Sequence, residues 1–198
     1  QRHNSLKIKI INENFTAVPV SNTKGNIRRM FSYSITPKGL IQFRESITRG
    51  MTKRYVFLET VGCSSEDIME GIMNEATARG LYAECYHSPL KIEKIEDIVI
   101  PELGLSLSAA HRFNPYNVGY EKQIILSEFI KQDIYLSLAG ELKGDYALLE
   151  KLLNKAIEYL SLAKKSHDAL EEFYIRHMNF SAIDELEDEI IDRIIKHK

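Results

Sequence analysis

The segment "KRYVFLETVGCSSEDIMEGIMNEATARGLYAECYH", Lys53 to His87, limits the possible folds more than any other part of the chain. It reads strand, turn, helix, strand. "RYVFLE" is apolar and β-prone, and Gly62 marks a turn. Ser64 or Ser65 can cap a helix whose first turn holds Glu66 and Asp67. Apolar residues at positions 68, 69, 72, 73 and 76 keep the helical period, and Gly80 stops it. "LYAECYH", Leu81 to His87, is a second strand. A helix of about 15 residues between strands is a crossover, which predicts an α/β fold with a parallel sheet. Ligands of such sheets bind at the carboxyl ends of the strands. Cys63, His87 and His111 all fall just past predicted strand ends.

The flanks are read in the same way. "LKIKII", Leu6 to Ile11, alternates and predicts a strand, with a loop after it. "IRRMFSYSITPKG" is basic and ends in a Pro37 to Gly39 turn. "LIQFRESITRG", Leu40 to Gly50, predicts a short helix with a glycine stop. "IEDIVIPELGLSLSAAH" is a third apolar run broken by Pro101 and Gly104. From Asp145 to His177 there is neither Pro nor Gly. Leu149, Leu153, Ala156, Leu160, Ala163, His167, Leu170, Tyr174 and His177 repeat at heptad spacing, which predicts one long helix of roughly 50 Å. "NFS" then turns the chain, Ser181 with Asp184 resembles a capping box, and "AIDELEDEIIDRIIKHK" is a second amphipathic helix. Its acids come early and its bases last, as a helix dipole favours. The expected result is an antiparallel hairpin packed on the sheet domain.

Composition narrows the partners. Of 198 residues 27% are charged with a net charge of -2, so no global field points to nucleic acid or an anionic membrane. No apolar run approaches the ~18 residues of a membrane span. Two cysteines, Cys63 and Cys85, make no disulfide framework, and a reduced cytoplasmic setting is expected. The chain opens on Gln1 with no charged-then-apolar leader, and the expectation is a fragment or a trimmed chain.

"TPKG" at Thr36 to Gly39, "KRYVFL" at Lys53, "EATARG" at Glu75, "ECYH" at Glu84, "IEDIVIPEL" at Ile95 and "HDALEEFYIRHMNF" at His167 carry a resemblance when taken in order. Together they resemble the second half of a poorly characterised bacterial family of ATPase-like proteins built from two tandem P-loop halves. The resemblance runs from about Met30 to the end, roughly five-sixths of the chain. It implies a P-loop NTPase-like parallel sheet flanked by helices, with a long C-terminal helical hairpin. It also implies that residues 1–30 are an extension or linker from a preceding half, 31–144 the α/β domain, and 145–198 the hairpin.

In that family "KRYVFL" should lead into G-x-x-x-x-G-K-[ST], whose backbone N–H groups wrap the phosphates while lysine and hydroxyl hold oxygens and Mg²⁺. In register, this chain has Glu59 for the first glycine, Ser64 for the second, Ser65 for the lysine and Glu66 for the hydroxyl. Gly62 is the internal glycine that survives. Each carboxylate about 4 Å from a phosphate charge costs on the order of 4 kcal/mol at an effective dielectric near 20. Losing the lysine removes a bond worth about 1.5–3 kcal/mol. A Mg²⁺-holding aspartate that the family has after "IPELGLSLS" is Ala109 here. The resemblance therefore implies a vestigial phosphate loop at Gly62, Cys63, Ser64, Ser65 and Glu66, no catalytic residue and no cofactor. The expected partner is the upstream P-loop half or another copy of the chain. The alternative is an ATP-binding ATPase or nucleotide kinase-like enzyme, using ATP and Mg²⁺ through a variant loop. A third reading makes the 145–197 hairpin an interaction module.

Three further constellations carry weaker signals. Cys63, Cys85, His87 and His111 would bind Zn²⁺ if they converged, but no C-x-x-C pair supports this. His167 and Glu171 lie at i,i+4 with Tyr174 one turn on, a spacing equally served by a local helix contact. Arg28, Arg29, Arg44, Arg49, Lys53 and Arg54 make the region near the "RYVFLE" strand basic; a solvated face is the simpler reading.

Overall fold

The computed structural model describes residues 2–60, 62–129 and 132–196. Its centre is a six-stranded sheet with strand order β1-β5-β6-β7-β4-β8. The strands are β1 (Ile27–Phe31), β4 (Lys53–Leu58), β5 (Ala83–His87), β6 (Ile95–Ile100), β7 (Leu105–Ala110) and β8 (Lys122–Ile125). β1 and β5 are parallel, as are β7, β4 and β8, while β6 runs antiparallel to both its neighbours. The sheet is thus mostly parallel, as the crossover predicts. The antiparallel strand enters because Pro101 to Gly104 folds "IEDIVIPELGLSLSAA" into a β6–β7 hairpin instead of one continuous run. A second, two-stranded sheet pairs β2 (Tyr33–Thr36) with β3 (Gly39–Gln42) across the Pro37 turn.

Helix α3 (Glu66–Ala78) crosses from β4 to β5 and buries Ile68, Met69, Ile72, Met73 and Ala76, the positions its period names. It packs against α1 (Arg2–Phe15) and the sheet, forming one core with Phe57, Ile98, Ile100, Leu105 and Leu107. α1 corrects the strand expected at Leu6 to Ile11. Ile10 and Phe15 are buried in that core with Leu6 and Ile11 packed against it, while Ile8 lies 49% exposed. A sequence of alternating apolar residues fits both periods; the apolar face of α3 selects the helical one. Residue 30 falls within β1, so the sheet begins before that position. The helix expected over 40–50 is instead β3 followed by the four-residue α2 (Arg44–Ile47).

The C-terminal segment is helical as expected, but α4 (Gln132–Ile175) is 44 residues long and starts well before Asp145, carrying Gly140 and Gly144 within it. It spans about 66 Å at 1.5 Å per residue. It reaches the sheet domain near β2, where Leu153 is buried, and Arg112 adds an ion pair to Glu150 at 2.5 Å. α5 (Phe180–Lys196) has no buried residue among those described. Its first turn is capped by Asn179, whose Oδ1 accepts from Ala182 N–H at 3.3 Å, rather than by the Ser181–Asp184 pair.

Two substitutions separate the helical from the strand reading of residues 6–11. Ile10→Ala should lower unfolding free energy by about 2–4 kcal/mol, and Ile8→Ala by under about 0.5 kcal/mol, in urea melts. A strand would place residues 8 and 10 on the same face and make both costly.

Candidate functional site

The parallel strands end together, and the chain places polar and charged residues where they end. Glu59 follows β4, His111 follows β7, Ser32 follows β1 and Ser88 follows β5. β6 runs the other way, so its first residues, Glu96 and Asp97, and the preceding Lys94 arrive at the same edge. The β5–β6 ladder pairs Tyr86 with Asp97 and His87 with Ile95, skipping Glu96. This bulge breaks the side-to-side alternation of the strand, so two consecutive carboxylates enter one connected polar cluster.

At the turn after β4, the Thr60 and Cys63 backbones pair with one another, and Gly62 takes φ +78°, a conformation that suits glycine. The Glu59 carboxylate folds over the start of α3. Its Oε1 accepts from Ser65 N–H at 2.7 Å and from Ser65 Oγ at 2.7 Å. Its Oε2 accepts from Lys94 Nζ at 2.5 Å, and the Glu59 and Lys94 side chains are 5% and 14% exposed. A carboxylate from within the chain thus occupies the positive end of the helix, where backbone N–H groups and the helix dipole favour an anion.

Lys94 also lies 3.5 Å from Glu96. The fully buried Glu96 meets His111 Nε2 at 2.8 and 2.9 Å and accepts from Asn114 Nδ2 at 3.0 Å. His111 Nδ1 accepts from Phe113 N–H at 3.3 Å, which leaves Nε2 as the donor to Glu96. Burial pushes the Glu96 carboxyl up, but His111, Lys94 and Asn114 outweigh it and hold it at about 2. Asp97, also fully buried, receives Arg44 Nε at 2.9 Å and the Ser32 hydroxyl. The remaining Arg44 N–H groups donate to the carbonyls of Ala109 at 2.7 Å, Asn114 at 3.1 Å and Pro115 at 3.2 Å. Asn114 Nδ2 also donates to Ser32 Oγ at 3.2 Å, joining the two carboxylate centres.

The residues singled out from sequence fall into this frame unevenly. The Cys63 thiol is buried and donates to Leu126 O at 3.0 Å; burial and the nearby Glu59 charge push its pKa up. Ser64 Oγ accepts from Glu66 N–H at 3.2 Å. Ser65 is the N-cap residue, but it caps no backbone N–H with its own hydroxyl. Glu66 pairs with Lys91 at 2.6 Å at the surface. Ala109, in the register of a Mg²⁺-holding aspartate, is buried in β7.

Cys63, Cys85, His87 and His111 do not converge. Cys85 is buried within β5 with its pKa pushed to about 11, and His87 Nε2 faces Arg29 Nη1 at 2.8 Å. Among the described residues, the one grouping with metal-ligand spacing is His167, Asp168 and Glu171 on α4; all three are exposed, and Lys164 already pairs with Asp168 at 2.7 Å. His167 Nδ1 stands 3.9 Å from Glu171, beyond a hydrogen bond. The basic face also changes meaning, since Arg44 is buried in the Asp97 pair rather than solvated.

Glu96, Asp97, Lys94 and Asn114 were not singled out from sequence, and Arg44 was placed only in a solvated basic face. The signal was present in "IEDIVI": two acids inside a strand whose six residues are all buried must have partners. Which partners they find depends on segments tens of residues away. No protein-family model matches the chain, and no curated protein or solved structure matches it significantly.

As a chemical arrangement, the edge is closed. Each of its three carboxylates is held by a cation or donor. Outside it, a cleft of about 310 Å³ opens beside the first turn of α3, bordered by Glu66, Asp67, Glu70 and Glu93 against Arg29 and Lys91. Four carboxylates there oppose a polyanionic ligand.

The depressed Glu96 carboxyl ties stability to acid. Its folded value of about 2 lies below the ordinary 4.5, so its contribution is complete above pH 4.5 and is lost as pH falls toward 2. The full contribution is on the order of 3 kcal/mol. Thermal melts from pH 7 to pH 2 should show Glu96→Gln less stable at neutrality by about 2–3 kcal/mol, with the difference shrinking in acid. A gap that stays constant with pH would contradict this assignment.

Proposed function

We propose that this chain is a non-hydrolysing domain of P-loop-like architecture, acting as the regulatory or interaction half of a tandem ATPase-like protein. One observation carries the reading: the Glu59 carboxylate, neutralised by Lys94, lies against Ser65 N–H at the start of α3. That is the position a nucleotide phosphate takes in a strand–loop–helix phosphate site. The order of elements supports it: α3 crosses over from β4, which is flanked by parallel β7 and β8. The chemistry of the loop opposes hydrolysis, with Ser65 in the lysine register and Ala109 in the aspartate register. In this reading Gly62, Cys63, Ser64, Ser65 and Glu66 are a vestigial loop kept for its scaffold role. The partner is an intact P-loop half or another copy of the chain.

Isothermal calorimetry with ATP and Mg²⁺ should detect no binding to the wild-type chain. Micromolar binding abolished by Gly62→Asp would overturn the reading. A second measurement tests the stand-in carboxylate itself. In Glu59→Ala, Lys94 and the N-terminus of α3 lose their anion, so inorganic phosphate should raise Tm of this variant several degrees more than that of wild type. Equal shifts for both proteins would remove Glu59 from the argument.

A further inference from the structure

The four-residue loop after β7 faces two ways. Its first and last residues, His111 and Asn114, pair through their backbones at 3.3 and 3.0 Å and send their side chains inward to Glu96. The two residues between them face α4. Arg112 Nη2 and Nε donate to Glu150 Oε1 at 2.5 and 2.9 Å, and the guanidinium lies 5.8 Å from the centre of the Tyr146 ring. The Phe113 ring stands 6.2 Å from that of Tyr146 and 6.4 Å, edge-on, from the His111 imidazole. A continuous chain of contacts thus runs from buried Glu96 through His111 and Phe113 to Tyr146 on the long helix.

The seat of α4 is narrow. Tyr146, Glu150 and Leu153 follow at i, i+4 and i+7, one helical face over two turns; the first two are partly covered and Leu153 is buried. Beside them the helix touches β2. From 162 to 175 every residue of α4 is exposed, and so is the described length of α5. About 21 Å of α4, with α5 beyond it, is therefore carried from that seat. The Arg112 and Glu150 side chains are 57% and 41% exposed, and an exposed ion pair holds little by itself. Its strength depends on Arg112 and Phe113 being presented in place. What presents them lies inside: Glu96 holds both ends of the loop, Ser32 Oγ accepts from Asn114 Nδ2, and Arg44 Nη1 donates to Asn114 O.

We propose that the 111–114 loop is a latch. The inward contacts of His111 and Asn114 keep the loop in the shape that seats α4, and losing them frees the helix from a sheet domain that stays folded. Coupling of this kind is reciprocal, so unseating α4 from outside loosens the loop. A change at the buried ionic centre is thereby read out as movement of the C-terminal helices. The inference rests on the two-sided loop and is independent of the phosphate-loop reading.

Pulsed electron paramagnetic resonance on the full chain tests it, with spin labels at Lys24→Cys and Lys165→Cys. Both positions are exposed, while Cys63 and Cys85 are buried. The otherwise unaltered chain should give one narrow distance distribution. Asn114→Ala should broaden it while the sheet domain keeps its cooperative melt. Tyr146→Ala leaves the buried centre untouched and should broaden it as well. By reciprocity, Tyr146→Ala should also speed hydrogen exchange of the Asn114 amide about tenfold. A distribution that stays narrow in Asn114→Ala would overturn the latch, as would a sheet domain that unfolds whenever the helix is freed. Unchanged Asn114 exchange in Tyr146→Ala would show that the loop and the helix are not coupled.

Discussion

The buried ionic cluster at the carboxyl edge organises the rest of the molecule. Glu59, Lys94, Glu96, His111, Asn114, Ser32, Asp97 and Arg44 come from the ends or beginnings of β4, β6, β7 and β1, the 111–114 loop and the short α2. None of the three carboxylates could stay ionised there alone, since desolvating an unpaired charge costs several kcal/mol. Their partners therefore fix where the strand ends, the β2–β3 hairpin and the 111–114 loop sit. Arg44 shows the point most clearly. One guanidinium holds an aspartate and three backbone carbonyls, which a lysine at the same place could not do.

That cluster also supplies the anion at the start of α3. A helix start in an α/β sheet leaves unsatisfied N–H groups and a positive dipole end. Here the anion is Glu59, reaching across the turn, and its cation is Lys94, just before β6. The expectation that Ser64, Ser65 and the acids after them would serve as the cap had the right physics and the wrong donor of charge. Glu66 turns outward to Lys91, while the carboxylate on the helix start comes from six residues before Ser65.

The C-terminal helices follow a different logic. Their heptad spacing is strong enough to form helices with few tertiary contacts, and both form. Their apolar stripes remain open in the single chain, with Leu153 as the buried residue of the seam. A pattern of spacing says that a face will be covered; it does not say by what.

Several features were legible in the sequence: the crossover from β4 through α3 to β5, the polar residues just past the strand ends, and the helicity of the C-terminal third. Each depends on local periodicity, caps and glycine stops, which are properties of neighbouring residues. Tertiary structure decided what local pattern leaves open. It made "LKIKII" a helix because α3 offered it a helical groove, folded β6 back as an antiparallel strand, and drew Arg44 from an apparent basic face into the interior. It also placed the Glu59 carboxylate at the start of α3. The reason is common to all of these: the energy of a buried apolar face or a buried charge depends on what it touches, and those contacts come from residues 35 to 82 positions apart, from Glu59–Lys94, Arg44–Asp97 and Arg79–Phe15 to Asn114–Ser32.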